Sequence, residues 1–244
     1  MTAARASLPS VPAPEWLGQS DGEEILDPGQ RIIDPHHHLW PAGGALPYGP
    51  DELAADLASG HDVVATVYME CRSIYRADGP DHLRPVGETE FVVDAARSMT
   101  GPTISGIVGH TDLRLDPALI DEALDAHEAA GAGMFRGIRH AGSLDPEPER
   151  LAIPGRAPAG LYADDAFRRG VRRLGERRLT YDTWHYHHQN RDFLEVRPVR
   201  ARDAGGVGPL RNPARRGPFR RSPGRVVPAV AATWPTSPRA RTWW

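Results

Sequence analysis

The stretch "RIIDPHHHLW" (residues 31–40) places two isoleucines ahead of an aspartate and three consecutive histidines. In an extended strand, side chains two positions apart point to the same side. Asp34, His36 and His38 would therefore line one face, while His37 would lie on the other. Two imidazoles that converge from one strand end make half of a typical metal site. We therefore favour a metal or catalytic site here over the alternative of a surface loop.

Composition limits the class of protein. The chain has 244 residues, of which 40% are hydrophobic, enough for one sizeable core. Its single cysteine, Cys71, excludes a disulfide framework. No segment approaches the length of an apolar membrane span, and the first 22 residues lack the apolar region of a secretory signal. We expect a soluble cytoplasmic protein with no membrane partner.

Short apolar runs alternate with amphipathic segments between residues 31 and 195. Strands are predicted at 31–34, 61–71, 103–113, 133–140 and 179–188, and helices at 52–59, 87–99, 116–131, 164–178 and 189–195. This alternation is typical of right-handed βαβ units around a parallel sheet. The fold prediction is an α/β protein that contains about strands 1–5 of a (β/α)8 TIM barrel.

Polar side chains cluster after the predicted strands, where a barrel has its active-site mouth. They are His36, His38, Glu70, Cys71, Arg72, His110, Asp112, Arg139, His140, Trp184, His185 and His187. Arg139 suits a bidentate grip on a substrate carboxylate. Glu70 and Asp112 either belong to the site or only cap loops and pair with arginines. His61, His82 and His127 precede strands or lie on helices, so we expect them at the surface.

The segment "IIDPHHHLW" (32–40) resembles the Asp-x-His-x-His motif of the amidohydrolase superfamily, specifically its amidohydrolase-related (amidohydrolase 2) branch. That branch includes lactonases and decarboxylases of aromatic acids. "PVGETEFV" (85–92), "FRGIRH" (135–140) and "YDTWHYHHQ" (181–189) resemble, in the same order, segments of its lactonase-like members. The resemblance extends over about residues 28–195.

The resemblance implies a barrel hydrolase that opens a carboxylated lactone or ester, with a decarboxylase on the same scaffold as the alternative. His36 and His38 would bind a divalent metal, Zn or Mn, or contact the substrate in a metal-independent enzyme. Arg139 could hold a carboxylate, and His185 could orient the substrate or bind the metal. From their places after predicted strands, His185 and His110 are the candidate catalytic residues, and Arg139, Trp184 and His187 are the candidate substrate-binding residues. The expected partner is a small carboxylated molecule.

The composition changes at residue 196. Residues 196–244 contain 11 arginines, eight prolines and a single acid, for a formal charge of +10, whereas residues 1–195 carry −13. Members of the family continue with a strand-six histidine and a strand-eight aspartate. This sequence shows neither, since no histidine follows His188. Such a composition does not close a barrel.

Three interpretations of residues 196–244 stay open: an Arg-rich tail that binds nucleic acid or an anionic surface, a disordered linker, and a frame-shifted end of a barrel gene. We favour the third, under which nucleic-acid binding is not expected. The predicted organisation is a flexible arm at 1–30, an incomplete barrel domain at 31–195 and a tail at 196–244. We expect impaired hydrolase activity and low stability. The rival from another class is a non-catalytic, Arg-tailed binding protein.

Overall fold

The computed structural model describes residues 24–43, 46–148, 155 and 157–196, and these contain one five-stranded sheet. Its strands are β1 (Arg31–His37), β2 (Asp62–Met69), β3 (Thr103–Gly109), β4 (Phe135–Arg139) and β5 (Thr180–Asp182). The helices are α1 (Pro50–Leu57), α2 (Val86–Ser98), α3 (Pro117–Ala130), α4 (Asp165–Glu176) and α5 (Asn190–Val196). Short 3-10 turns lie at Asp81–Leu83, Leu161–Ala163 and His187–Gln189.

The strands lie in chain order, β1-β2-β3-β4-β5, and every neighbouring pair is parallel. A doubly wound sheet would reverse its strand order at a switch point, whereas a (β/α)8 barrel never does. The described residues therefore form a curled half-barrel with its helices outside. This confirms the predicted fold class.

Local sequence explains where the outer helices begin. The Asp116 carboxylate accepts a hydrogen bond from the Ala118 N–H, and Pro117 occupies the first turn of α3. The Asp164 carboxylate caps α4 in the same way, through the N–H groups of residues 166 and 167. Such caps satisfy backbone donors that a helix start leaves unpaired.

Two hydrophobic clusters hold the helices against the sheet. One joins β2 and β3 to α1 and α2, and includes Leu53, Tyr68 and Ile107. The other joins β4 and β5 to α3 and α4, around the fully buried Phe167. Both clusters lie on the helix side of the sheet, so the carboxyl ends of the strands remain available for polar residues.

Strand β5 is shorter than predicted. It ends at Asp182, and the chain then bends into the turn at His187–Gln189 instead of continuing as a strand to residue 188. The Gln189 side chain holds the chain in this bend. Its amide accepts hydrogen bonds from the Leu144 and Tyr186 N–H groups and donates one to the Gly142 carbonyl. The segment is therefore tied to the loop after β4.

His127 is also placed differently from the surface position that we expected, since it is fully buried in α3. Its Nε2 donates to the His110 carbonyl at 3.0 Å, which leaves Nδ1 to accept from the Thr89 hydroxyl at 2.8 Å. Gly109 makes room for the ring, because a β-carbon there would lie 2.9 Å from it. With both nitrogens satisfied, burial of this imidazole is tolerated.

Parts of the predicted organisation lie outside the described residues. These parts are residues 1–23 of the predicted arm and residues 197–244 of the predicted tail. Among the residues that the structure describes, no helix is both long and apolar enough to cross a membrane.

Buried neutral histidines are expected to make stability depend on pH. Burial lowers the pKa of His127 and of His140 from 6.5 to about 4. The unfolded chain then binds more protons between pH 6.5 and 4, so their contribution is complete above pH 6.5 and is lost as the pH falls. Each group should change the free energy of unfolding by about 1.4 kcal/mol per pH unit in that window. Urea unfolding between pH 8 and 5 measures this slope.

The matched variant is His127→Gln, which removes one of these titrating groups. Its slope should be shallower than that of the wild type by about 1.4 kcal/mol per pH unit. An identical slope in the two proteins would show that His127 does not titrate with folding.

Candidate active site at the carboxyl end of the sheet

His36 and His38 converge at the end of β1. Their Nε2 atoms lie 3.2 Å apart, with the rings edge to face. The Asp34 carboxylate accepts a hydrogen bond from the His36 N–H at 3.0 Å and so shapes the strand end. His37 lies on the opposite face, where its Nε2 contacts the Thr66 hydroxyl at 3.0 Å. The alternation thus separates the paired histidines from the one between them.

The hydrogen bonds fix the protonation of His38. Its Nδ1 donates to the Met69 carbonyl at 2.8 Å, because a carbonyl can only accept. Burial lowers the pKa of His38, so the ring is neutral and its Nε2 presents a lone pair to His36. A metal-binding histidine is commonly oriented in this way, by a carbonyl on its other nitrogen.

No neutral arrangement of His36 satisfies all of its neighbours. With a proton on Nε2, the ring donates to His38 but opposes the Arg139 guanidinium, whose Nη1 is 3.5 Å away. With the proton on Nδ1, that buried N–H has no hydrogen-bond partner among the described residues. The Nε2 lone pairs of His36 and His38 then face each other. Two lone pairs at 3.2 Å are the geometry of two ligands on one tetrahedral ion, for which bonds of about 2.0–2.1 Å imply a similar separation.

The described residues therefore offer a metal ion two ligands. Among the described residues, no group of three or more His, Cys, Asp or Glu side chains is arranged to hold a metal ion. His36 and His38 would supply two imidazole donors. The remaining ligands would come from water, substrate or residues outside the described part of the chain.

Arg139 ends β4 and lies between two buried carboxylates. Its Nε is 3.6 Å from Glu70 Oε1, after β2, and 3.7 Å from Asp182 Oδ1, at the end of β5. Its side chain is 11% exposed, and those of the two acids are 6% and 8% exposed. The guanidinium thus links three strand ends, and its charge is already opposed by two acids of the chain.

The two carboxylates have shifted pKa values. Burial raises the pKa of Asp182 to about 6, although the Arg139 charge acts in the opposite direction. Burial likewise raises the pKa of Glu70. Glu70 Oε2 and Arg139 Nε are both buried without a hydrogen-bond partner among the described residues. Polar atoms that are buried and unsatisfied are rare in folded proteins and concentrate at functional sites.

His110 follows β3 in the same layer. Its Nδ1 donates to the Arg139 carbonyl at 2.9 Å, which leaves a lone pair on Nε2. Burial lowers its pKa, so the imidazole is available as a neutral base. The His140 ring lies 5.5 Å away, and its Nδ1 accepts from the Leu113 N–H. Asp112 forms a surface ion pair with Arg114.

The predicted site residues after β5 lie in a separate network. His185 Nε2 lies 3.0 Å from Asn190 Oδ1, and its Nδ1 lies 3.0 Å from the Tyr162 hydroxyl. Both ring nitrogens are therefore engaged by the chain itself. Trp184 is half-buried and packs against Tyr186. His187 is half-buried in the 3-10 turn, so the catalytic and substrate roles of these residues stay predictions.

A buried glutamate on α2 shapes the loop after β2. Glu88 is 1% exposed, and its Oε1 accepts hydrogen bonds from the Tyr68 hydroxyl and from the N–H groups of Cys71 and Ser73. These two N–H groups flank Arg72, whose backbone is left-handed with φ of 64°. A non-glycine residue in this region is held there by its surroundings at a cost of about 1 kcal/mol or more.

Sequence reasoning missed two of these residues, Glu88 and Asp182. It predicts Glu70 either in the site or as a loop cap paired with an arginine, and the structure places it beside Arg139. The available signal was positional, since Glu70 directly follows β2 and Asp182 closes β5. For Glu88, which lies in the first turn of a predicted helix, the sequence indicated only a favourable helix start.

No family model matches the chain. The chain is 27% identical over 186 residues to an uncharacterized protein, y4mH, of Sinorhizobium fredii, and the match covers 68% of this chain and 57% of that protein. It is 25% identical to an amidohydrolase of Burkholderia multivorans solved with bound zinc, with a TM-score of 0.45, over 66% of this chain and 51% of that one. The chain thus spans between half and three fifths of these two proteins.

A third similar protein is a probable 2-pyrone-4,6-dicarboxylic acid hydrolase of Acinetobacter baumannii, solved with citric acid bound. The identity is 11% and the TM-score 0.37, over 68% of this chain and 66% of that structure.

Replacing Arg139 by glutamine should destabilise the protein in a pH-dependent way. The change removes the counter-charge of the buried Asp182 and leaves the buried Glu70 with the exposed Arg72 nearby, which typically costs about 3 kcal/mol or more. The cost should be larger at pH 8 than at pH 5, because Asp182, whose pKa is about 6, takes up a proton between these two values. Urea unfolding at the two pH values tests this expectation. The control is Arg97→Gln, which removes an exposed ion pair with Asp94 and should cost less than about 1 kcal/mol.

Replacing Glu88 by alanine should lower the free energy of unfolding by about 3 kcal/mol, because two backbone N–H groups and a tyrosine hydroxyl lose their acceptor. Glu90→Ala is the matched control on the same helix. It removes only an exposed ion pair with Arg76 and should cost less than about 1 kcal/mol. Equal losses in the two variants would argue against the role assigned to Glu88.

Proposed function

We propose that residues 31–196 carry part of the active site of a hydrolase of the amidohydrolase-related family, which opens a carboxylated lactone or ester. The observation that carries the proposal is the pair of Nε2 atoms of His36 and His38, 3.2 Å apart at the carboxyl end of β1. The resemblance of "IIDPHHHLW" to the family's strand-one motif supports it.

His36 and His38 would hold a divalent ion, for which zinc is a suitable choice because imidazole is a good zinc ligand. A bound zinc ion would supply Lewis-acid polarisation of the substrate carbonyl and acidify a water molecule. The protein's own contribution is to fix the two imidazoles. The Met69 carbonyl holds the proton of His38 on Nδ1, so its Nε2 is free to bind.

His110 is proposed as the group that receives a proton. Its Nδ1 is held by the Arg139 carbonyl, and its lone pair on Nε2 can accept a proton from water without changing the tautomer. The Asp112 and Glu88 carboxylates favour the protonated form of His110, whereas the exposed Arg72 cation opposes it.

Zinc binding tests the metal part of the proposal independently of turnover. In isothermal titration of the full chain at pH 7.5, we expect one zinc per chain, lost in His36→Ala and in His38→Ala. His61→Ala is the control, because His61 is exposed and precedes β2 at the opposite end of the sheet. Zinc binding that survives both site variants, or none in the wild type, would contradict the proposal.

Turnover with 2-pyrone-4,6-dicarboxylate separates the two chemistries that the scaffold could support. Opening of the lactone releases acid, whereas decarboxylation releases carbon dioxide. We propose lactone opening at a low rate, since the described residues supply only two metal ligands. Carbon dioxide release without acid release would favour the decarboxylase.

A further inference from the structure

The charge of Arg139 is already opposed by two carboxylates of the chain. Its guanidinium lies within 3.7 Å of two buried carboxylates, Glu70 and Asp182, and its side chain is only 11% exposed. A substrate anion at this point would meet two negative charges for one positive charge. Arg139 therefore has a structural role at the site, and the carboxylate grip that the sequence assigned to it stays a prediction.

Arg72 is a second cation of this strand edge, and its charge also acts on the buried Glu70 carboxylate. It is exposed, and its guanidinium forms no hydrogen bond or ion pair with any residue of the described part of the chain. It follows β2 by three residues, and the Glu70 N–H donates to the Val108 carbonyl of β3, which places this loop beside His110. Arg72 and His110 thus follow two paired strands, β2 and β3, at the same edge of the sheet.

The backbone holds Arg72 in place at a conformational cost. Glu88 Oε1 binds the N–H groups of Cys71 and Ser73, on either side of it, at 2.9 and 3.1 Å. Arg72 and Ile74 both have positive φ, 64° and 46°, and both side chains face solvent, while Ser73 between them is buried. The backbone of the loop is therefore held in place, and it exposes the Arg72 guanidinium and the apolar Ile74 side chain beside the carboxyl ends of the strands.

We propose that Arg72 is the receptor for the substrate carboxylate, an inference that rests on the proposed function for the identity of the reacting centre. The substrate class is an organic acid whose carboxylate reaches Arg72 while its carbonyl lies near His110 and the His36–His38 pair. A planar guanidinium with no hydrogen bond or ion pair among the described residues can bind a carboxylate through two hydrogen bonds. Ile74 would contact the apolar part of such a substrate.

Direct binding of succinate to the full chain, without zinc, tests this proposal. Isothermal titration should show binding of succinate but not of uncharged succinamide. Arg72→Gln should weaken succinate binding by about tenfold or more, because a charge-assisted bidentate contact is lost. Arg31→Gln is the charge-matched control, since Arg31 is exposed at the opposite end of β1, and it should bind like the wild type.

Arg72→Gly separates a binding role from a structural one. Glycine adopts positive φ without strain, so this variant should melt at or above the wild-type temperature while binding is lost. Binding by Arg72→Gln that equals the wild type, an equal loss in Arg31→Gln, or no succinate binding by the wild type would overturn the proposal. Because zinc is absent, these outcomes are independent of whether His36 and His38 bind metal.

Discussion

The site depends on one buried ion cluster, in which the Arg139 guanidinium opposes the carboxylates of Glu70 and Asp182. These residues end strands β4, β2 and β5, so their attraction links carboxyl ends that are distant in the sequence. Burial makes the arrangement obligatory, because removal of one partner leaves an uncompensated charge in a poorly solvated place. The cluster also fixes the surroundings of His36, which lies 3.5 Å from the same guanidinium.

The polar residues at this edge of the sheet have different roles. Arg139 opposes the charges of buried acids. Arg72 is exposed in the loop after β2, where Glu88 accepts hydrogen bonds from the backbone N–H groups on either side of it. The histidines stay neutral because burial lowers their pKa, so that they offer lone pairs to a cation or a proton. The buried charged residues thus maintain the shape of the site, and the neutral imidazoles can bind a metal ion or accept a proton.

The sequence predicts the alternation of strands and helices well, because hydrophobic period and caps such as Asp116 are local signals. The convergence of His36 and His38 follows in the same way from the period of a strand. The features that the sequence could not predict depend on contacts between residues that are far apart along the chain. The burial of His127 requires Gly109 and Thr89, and the end of β5 depends on hydrogen bonds from Gln189 to the loop after β4. The partners of Arg139 are set only when the strands assemble.

The protonation of His38 offers the most direct test of the metal-ligand pair. In long-range 1H–15N spectra of the full chain at pH 7.5, we expect His38 as the Nδ1–H tautomer, with an Nε2 resonance that shifts on addition of zinc. The Nε2–H tautomer and an unchanged spectrum are expected for His127, which is satisfied by Thr89 and the His110 carbonyl. A proton on Nε2 of His38, or an Nε2 resonance that does not respond to zinc, would contradict the assignment of this pair as metal ligands.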